Sequence, residues 1–217
     1  MSDFSALVLA AGHSRRMGTP KAYLHLAGQT LAERLCATCA QGGAHTIVVV
    51  AGASDAADPT LASVALLAPL VQARLDPAAA RLRFTVGCPE GTPLDSLRCG
   101  LRLVPQGQNV LLWPIDYPFA DSALVRALVL ALGERRDQVA IPLAAGRRGH
   151  PVLLGAEVAL ELWSDTLVAG ARDVVLRSAE RQLLVPVADA RVAEDCDTPE
   201  QARALGIEGS NARAPLT

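Results

Sequence analysis

Aromatic side chains are scarce in this chain: three Phe, two Tyr and two Trp among 217 residues, although 51% of the sequence is apolar. The core must therefore be assembled mainly from Ala, Leu and Val, as in many α/β domains, and the length favours one domain. A basic excess is also missing, with 20 Lys and Arg against 22 Asp and Glu. That excludes a broad nucleic-acid face but leaves room for a small anion held by a local cluster. No apolar run approaches the ~18 residues that span a bilayer. No basic segment followed by a long apolar stretch opens the sequence either, so neither a membrane partner nor a signal peptide is expected. Of the five cysteines only Cys36 and Cys39 are close together, and no Cys or His pair stands beside them at zinc-ligand spacing. The helical pattern Leu31, Leu35, Cys39 places Cys39 on an apolar face, so these thiols read as core packing. A reduced, cytoplasmic protein is the simplest expectation.

What the chain does contain is a regular alternation of short apolar runs and helical patterns. Strands are predicted at Ala6–Leu9, Thr46–Ala51, Leu82–Val86, Asn109–Trp113, Val139–Pro142, Pro151–Leu154 and Leu183–Val187. Helices are predicted at Leu31–Gln41, Leu61–Ala73, Asp95–Leu103, Ser122–Leu132, Ala156–Trp163, Ala171–Ser178 and Pro199–Leu205. In "DSALVRALVLALG", Asp121 or Ser122 can cap the first turn, and Gly133 can close the helix. Such alternation implies a mostly parallel sheet covered on both faces, a single three-layer α/β/α domain. It is expected over residues 1–207, with "EGSNARAPLT" (208–217) as a flexible C-terminal tail. Surface loops are expected on both sides of the weakly patterned helix between Gly52 and Arg81.

"LAAGHSRRMGTPK", Leu9 to Lys21, follows the first strand directly. In an open parallel sheet ligands settle beyond the carboxyl ends of the strands. Ala10, Ala11 and Gly12 let backbone amides approach a phosphate, Gly18 adds a second flexible point, and Arg15, Arg16 and Lys21 can neutralise the charge. The loop is not a Walker loop, because Gly12 and Gly18 are too far apart and Lys21 comes late. It is not the dinucleotide fingerprint either, because Gly12 is followed by His-Ser-Arg-Arg.

Two acidic segments could supply a cation to such an anion. In "NVLLWPIDYPF" the apolar run ends at Pro114, which cannot donate to a sheet ladder, so Asp116 stands at the ligand edge of the sheet. Asp121 or Ser122 serves better as the cap of the next helix. In "AEDCDTPEQA", Thr198 reads as N-cap, Pro199 as the first helical residue and Gln201 as the partner in a capping box. Asp195 and Asp197 precede it and, if extended, point to one side. One acid would suffice for the helix dipole; two suggest a cation.

The stretch L-A-A-G-x-S-x-R-M-G-x-P-K resembles the opening signature of the nucleotidyltransferase family that includes the molybdenum cofactor cytidylyltransferases and guanylyltransferases. The D-x-P of Asp116-Tyr117-Pro118 and the D-x-D-T-P-E of Asp195 to Glu200 are similar to two further family segments. The matched stretches reach to about Leu205. By this resemblance the fold is a Rossmann-like nucleotidyltransferase fold, and Asp116 and Asp197, with Asp195 beside them, would hold Mg2+. The backbone of Leu9, Ala10, Ala11 and Gly12, with Gly18, Arg16 and Lys21, would hold a triphosphate. "EGTPLDSLRCGL" resembles a segment that holds base and ribose, through Gly91 and Ser96. "GRRGHPVLL" resembles one near the acceptor, which includes His150; that residue reads equally as a satisfied turn histidine.

The activity implied is Mg2+-dependent transfer of an NMP to a phosphorylated acceptor with release of pyrophosphate. L-A-A-G leans toward CTP, with molybdopterin as acceptor and a molybdoenzyme or its chaperone as delivery partner. Several features depart from the cytidylyltransferase pattern: one extra residue between Gly91 and Ser96, Leu94-Asp95-Ser96 in place of consecutive serines, and Tyr117 in place of Gln or His. They keep open a sugar-phosphate or alcohol-phosphate acceptor with another NTP. A catalytically silent nucleotide- or cofactor-binding relative would be expected to have lost one of Arg16, Lys21, Asp116 or Asp197. A nicotinamide-dependent oxidoreductase lacks its glycine fingerprint here.

Overall fold

The computed structural model describes residues 3–12, 14, 16–52, 59–76, 78–168, 170–177 and 179–209. In chain order the elements are β1 (Phe4–Ala10), the short strands β2 (His25–Leu26) and β3 (Gln29–Thr30), α1 (Leu31–Gln41), β4 (Thr46–Ala51), α2 (Pro59–Gln72), β5 (Arg81–Val86) and α3 (Pro93–Leu101). They continue with β6 (Asn109–Pro114), α4 (Ser122–Leu132), β7 (Val139–Ala144), β8 (Arg147–Arg148) and β9 (Val152–Leu154). Last come α5 (Ala156–Glu161), α6 (Ala171–Val175), β10 (Gln182–Pro186) and α7 (Pro199–Ala204).

The main sheet has the order β10-β7-β9-β6-β1-β4-β5, with β8 paired to β7. β1 pairs in parallel with both β4 and β6, β4 with β5, and β7 with β10. Only β9 and β8 run against this direction. Successive residues of a strand face opposite sides. Ala6 and Val8, with Ile47 and Val49, therefore join the layer that includes Leu35 of α1 and Leu128 of α4. Leu7, with Val48 and Val50, joins Leu97 of α3, Val158 of α5 and Val174 of α6 on the other face. Burial on both faces explains the unbroken apolar runs, and the small aromatic complement leaves Trp113 as the largest fully buried side chain.

Local chemistry sets the helix starts. Thr30 and Glu33 form a capping box on α1, and Asp121 accepts from the Leu124 amide at 2.8 Å to cap α4. Cys36 and Cys39 are fully buried in the core, and burial pushes the Cys36 thiol up to about 12. Neither is suited to redox or metal chemistry.

The structure also corrects several boundaries. The third helix starts at Pro93, two residues before the expected Asp95, because Thr92 caps it through Asp95. α5 stops at Glu161 and α6 at Val175, short of Trp163 and Ser178. The β2–β3 pair and the β7–β8 pair were not anticipated. Each turns on an Ala-Gly dipeptide at positive φ, Ala27-Gly28 and Ala145-Gly146, where a two-residue hairpin usually shows Asn or Asp first. Glu208, expected in the tail, exchanges backbone hydrogen bonds with His25 at 2.8 and 2.9 Å, while 210–217 lie outside the described residues.

Candidate active site

The carboxyl ends of β1, β5 and β6 open into a cavity of about 380 Å3. Leu9, Ala11, Gly12 and Ser14 form one wall, Gly87 to Ser96 another, and Asp116 and Lys21 the end. This is where ligands sit in open α/β sheets.

Ser14 organises the loop after β1. It holds a left-handed φ of +46°, its carbonyl accepts from the amides of Met17 and Gly18 at 2.9 and 3.1 Å, and its hydroxyl accepts from the Lys21 amide at 3.2 Å. The Lys21 ammonium is thereby directed back into the cavity. It donates to Asp116 Oδ2 at 3.2 Å and forms an ion pair with Asp197 Oδ1. Burial, the largest single influence, works to lower its pKa. The hydrogen bond to Asp197 and the charges of Asp116 and Asp197 outweigh it, so the ammonium is held above its usual range.

Asp116 is carried on a tightly held turn. The carbonyls of Asp116, Tyr117 and Pro118 accept, in order, from the Cys196 amide at 3.0 Å, the Trp113 indole at 2.8 Å and Arg34 Nε at 3.0 Å. Asp116 Oδ1 is buried and has no hydrogen-bond partner among the described residues. Buried polar atoms are normally satisfied, so an open carboxylate oxygen beside a second carboxylate suits a divalent cation. No group of three His, Cys, Asp or Glu among the described residues could hold a metal. A metal here would therefore take substrate oxygens for the rest of its shell, as Mg2+ does.

Asp197 is fixed by the start of α7. Gln201 Oε1 accepts from the amides of Asp197 and Thr198 at 2.8 and 2.9 Å, completing the capping box expected from Thr198-Pro199-Glu200-Gln201. Asp195 does not join the Lys21 cluster through any ion pair among the described residues. It stands close enough to Tyr117 to help raise that phenol's pKa, after burial and ahead of Asp116 and Asp197.

The other expected residues divide. Ala11, Gly12, Gly91 and Ser96 line the cavity. The Leu9 side chain does too, but its carbonyl accepts from Ile115 at 3.0 Å, and Ala10 is engaged in the sheet. Gly18 (φ +70°) shapes the turn without lining the cavity. Arg16 is exposed, without an ion pair among the described residues, and Arg15 lies outside them. The Ser96 hydroxyl accepts from the Cys88 amide at 3.0 Å, so it clamps the Gly87–Thr92 loop against α3. A Cβ on Gly87 would come within 2.7 Å of Ser96 Oγ and of the Ala11 Cβ, which accounts for glycine where the β1 and β5 loops meet.

His150 is outside this cavity and lines a neighbouring one. Its ring centroid is 4.4 Å from that of Tyr117, its Nδ1 is buried without a partner among the described residues, and burial lowers its pKa to about 4. It is not a satisfied turn histidine.

Ser14, Trp113, Arg34 and Cys88 were not singled out from the sequence. Ser14 stands inside the Leu9–Lys21 signature and was the one within reach; Arg34 depends on a contact distant in sequence, and Trp113 and Cys88 on the shape of their turns.

Fold and site together define a mononucleotide-type α/β domain with a cationic loop facing paired carboxylates. Residues 6–184 match the MobA-like NTP transferase domain, and the chain belongs to that family. It is 31% identical over 151 residues to a molybdenum cofactor guanylyltransferase of Rhizobium rhizogenes, an overlap of 70% of this chain and 62% of the relative. The match thus spans less than two thirds of that relative's length. It is 28% identical over 208 residues to nicotine blue oxidoreductase of Paenarthrobacter nicotinovorans, covering 91% of this chain and 93% of that one. Among solved structures, Rv0371C of Mycobacterium tuberculosis in complex with manganese superposes with a TM-score of 0.65 at 22% identity, over 94% of this chain and 98% of that one. The 4-diphosphocytidyl-2C-methyl-D-erythritol synthase of Anaerococcus prevotii does so with 0.68 at 16%, over 94% and 96%. These two likenesses establish the fold alone.

Proposed function

We propose that this chain is a divalent-metal-dependent nucleotidyltransferase that moves an NMP from an NTP to a phosphorylated acceptor. The observation that carries the proposal is the Lys21 ammonium between Asp116 and Asp197, at the end of a cavity walled by the glycine loop. An oxygen of the acceptor phosphate forms a bond to the α-phosphorus, the bond from that phosphorus to the α,β-bridging oxygen breaks, and pyrophosphate leaves with the electron pair. Between phosphate oxygens no proton need move, so positioning and charge stabilisation do the catalysis.

Asp116 and Asp197 would hold the metal, which when bound supplies charge to the α-phosphate and the leaving group. Mg2+ is the expected ion, and the manganese complex of Rv0371C supports a divalent site in this fold. Lys21 moves its three donors from the carboxylates to phosphate oxygens, with Arg16 at the open side of the loop. The amides of Ala11 and Gly12 approach the β- and γ-phosphates, while the Gly87–Ser96 wall, including Gly91, borders base and ribose.

Molybdopterin is the acceptor supported by the named relative. That relative favours GTP, whereas the L-A-A-G loop leans toward CTP, and the synthase likeness keeps an alcohol phosphate as the alternative acceptor. A second reading, an oxidoreductase, is favoured by the near full-length similarity to nicotine blue oxidoreductase. Pyrophosphate release with molybdopterin and each of CTP, GTP, ATP and UTP, with and without Mg2+, tests the proposal. Metal-dependent release with one nucleotide supports it and names the base. No release with any of them, together with NAD(P)H binding, would favour the second reading.

A further inference from the structure

Arg98 stands on α3, two residues beyond the cavity-lining Ser96, with only 18% of its side chain exposed. Two arms of its guanidinium are held by backbone just past α5. Nε donates to the Leu162 carbonyl at 2.9 Å and Nη2 to the Ser164 carbonyl at 2.7 Å. The third arm, Nη1, lies 3.9 Å from Asp95 Oδ1. Asp165 is 4.0 Å away as well, but its carboxylate is 99% exposed, so that pair contributes little.

The other oxygen of Asp95 belongs to the nucleotide wall. Oδ2 accepts from the Thr92 amide and the Thr92 hydroxyl, each at 2.8 Å. These bonds, and after them the Arg98 charge, hold the Asp95 carboxyl below its usual range. A Cβ on Gly91 would come within 2.9 Å of the Asp95 Cβ and 3.0 Å of Oδ2, so the Gly91–Thr92 turn lies directly on this side chain. Gly91 and Thr92 both line the first cavity. A chain of contacts therefore runs from the backbone past α5, through Arg98 and Asp95, to that wall.

We infer that Arg98 is a positioning residue for the nucleotide, acting through Asp95 to fix the Gly91–Thr92 turn against base and ribose. The inference rests on the reading of the first cavity as an NTP site. Capping α3 requires only Thr92 and Asp95, and tying α3 to α5 requires only the two carbonyl bonds. Neither duty needs a cation beside the second oxygen of Asp95. That carboxylate is 41% exposed, and alone it would be free to turn away from Thr92. A planar guanidinium with two arms fixed to backbone limits that freedom, which a flexible lysine at the same place would not. A wall already ordered before the ligand arrives loses less entropy on binding.

The test is equilibrium binding of CTP and GTP, each with Mg2+, by the full chain, with unfolding curves measured in parallel. For whichever nucleotide the wild type binds more tightly, Arg98→Met should raise Kd roughly 2–10-fold. In an Asp95→Ala background the same change should move Kd by less than about twofold, because the path is already cut. Arg98→Lys keeps the charge without the fork and serves should the methionine variant fold poorly; it should still bind more weakly than wild type. A merely structural role would lower stability by similar amounts in both backgrounds and leave Kd alone. That result, an equal effect on Kd with and without the Asp95 carboxylate, or full rescue by lysine overturns the inference and leaves the proposed function standing. A wild type that binds neither nucleotide contradicts the proposed function itself, and the inference falls with its premise.

Discussion

The backbone amide of Cys196 donates to the carbonyl of Asp116 over 3.0 Å, joining the two acidic segments through main chain alone. The Asp116 turn is then held at its next two carbonyls by the Trp113 indole and by Arg34. The carboxylates can face one cation because their backbones, rather than their mobile side chains, are tied together. A rigid pair of ligands is what charge stabilisation in a transition state requires.

Trp113→Phe and Arg34→Met each remove one donor from that turn and leave the proposed metal ligands, Asp116 and Asp197, in place. One hydrogen bond contributes about 0.5–1.5 kcal/mol. Half-saturation by Mg2+ should therefore rise roughly 2–10-fold in each variant, with the KM for the nucleotide little changed. Metal titrations of turnover check this, with unfolding curves to establish that each variant is folded. A change confined to nucleotide KM would place these residues elsewhere in the mechanism.

Lys21→Met leaves Asp116 and Asp197 facing each other without their cation. Breaking a fully buried pair costs about 3–5 kcal/mol. Here Asp197 is 41% exposed, so a loss of about 1–3 kcal/mol is expected. Divalent cation should restore part of it, because the metal replaces the ammonium. Turnover should fall at least about 100-fold. Thermal unfolding with and without Mg2+ separates the two effects.

The His150 imidazole, with a pKa lowered to about 4 by burial, stays neutral where an unfolded histidine near 6.5 gains a proton. The unfolded state thus binds more protons below about 6.5, and stability falls as pH drops from there through about 4. His150→Phe should flatten this part of the profile, by up to about 3 kcal/mol at the acid end. Denaturant titrations at pH 7, 5.5 and 4.5 show it. Parallel profiles for the two proteins would contradict the burial.

Ser96→Ala tests whether that hydroxyl acts on the nucleotide or on the loop. As the clamp on Cys88, its loss should lower stability by about 1 kcal/mol and raise the nucleotide KM without selecting among bases. A base-dependent effect with unchanged stability would return Ser96 to direct contact. Gly87→Ala should be harsher, about 1–3 kcal/mol, because the new methyl meets Ala11 and Ser96.

Much of this architecture was legible wherever burial and periodicity agree. α1, β4 and α4 fall on the residues their apolar spacing indicates, and Asp121 and Thr198 cap as their chemistry requires. The two Ala-Gly hairpins escaped because alanine rarely adopts positive φ; Ala27 and Ala145 are exposed, and the strand pairing on either side of each turn holds them there. Of the candidate site, Lys21, Asp116 and Asp197, which the structure brings together, could be singled out because each stands near an element terminus, where a charged residue has no evident structural duty. Ser96 was legible as a cavity residue but not as the partner of the Cys88 amide, which lies across a loop that no local pattern connects. Arg34 escaped because its partner, the Pro118 carbonyl, is 84 residues away; Trp113 bonds only four residues on, across a turn whose shape its apolar run does not reveal.

The most direct test is electron paramagnetic resonance of Mn2+ bound with nucleotide. The account predicts an ion bound well only when NTP is present, with hyperfine coupling to 31P, and lost in a folded Asp116→Asn variant. An ion that binds without phosphorus coupling, or one that Asp116→Asn leaves undisturbed, would contradict a metal held between Asp116 and the triphosphate.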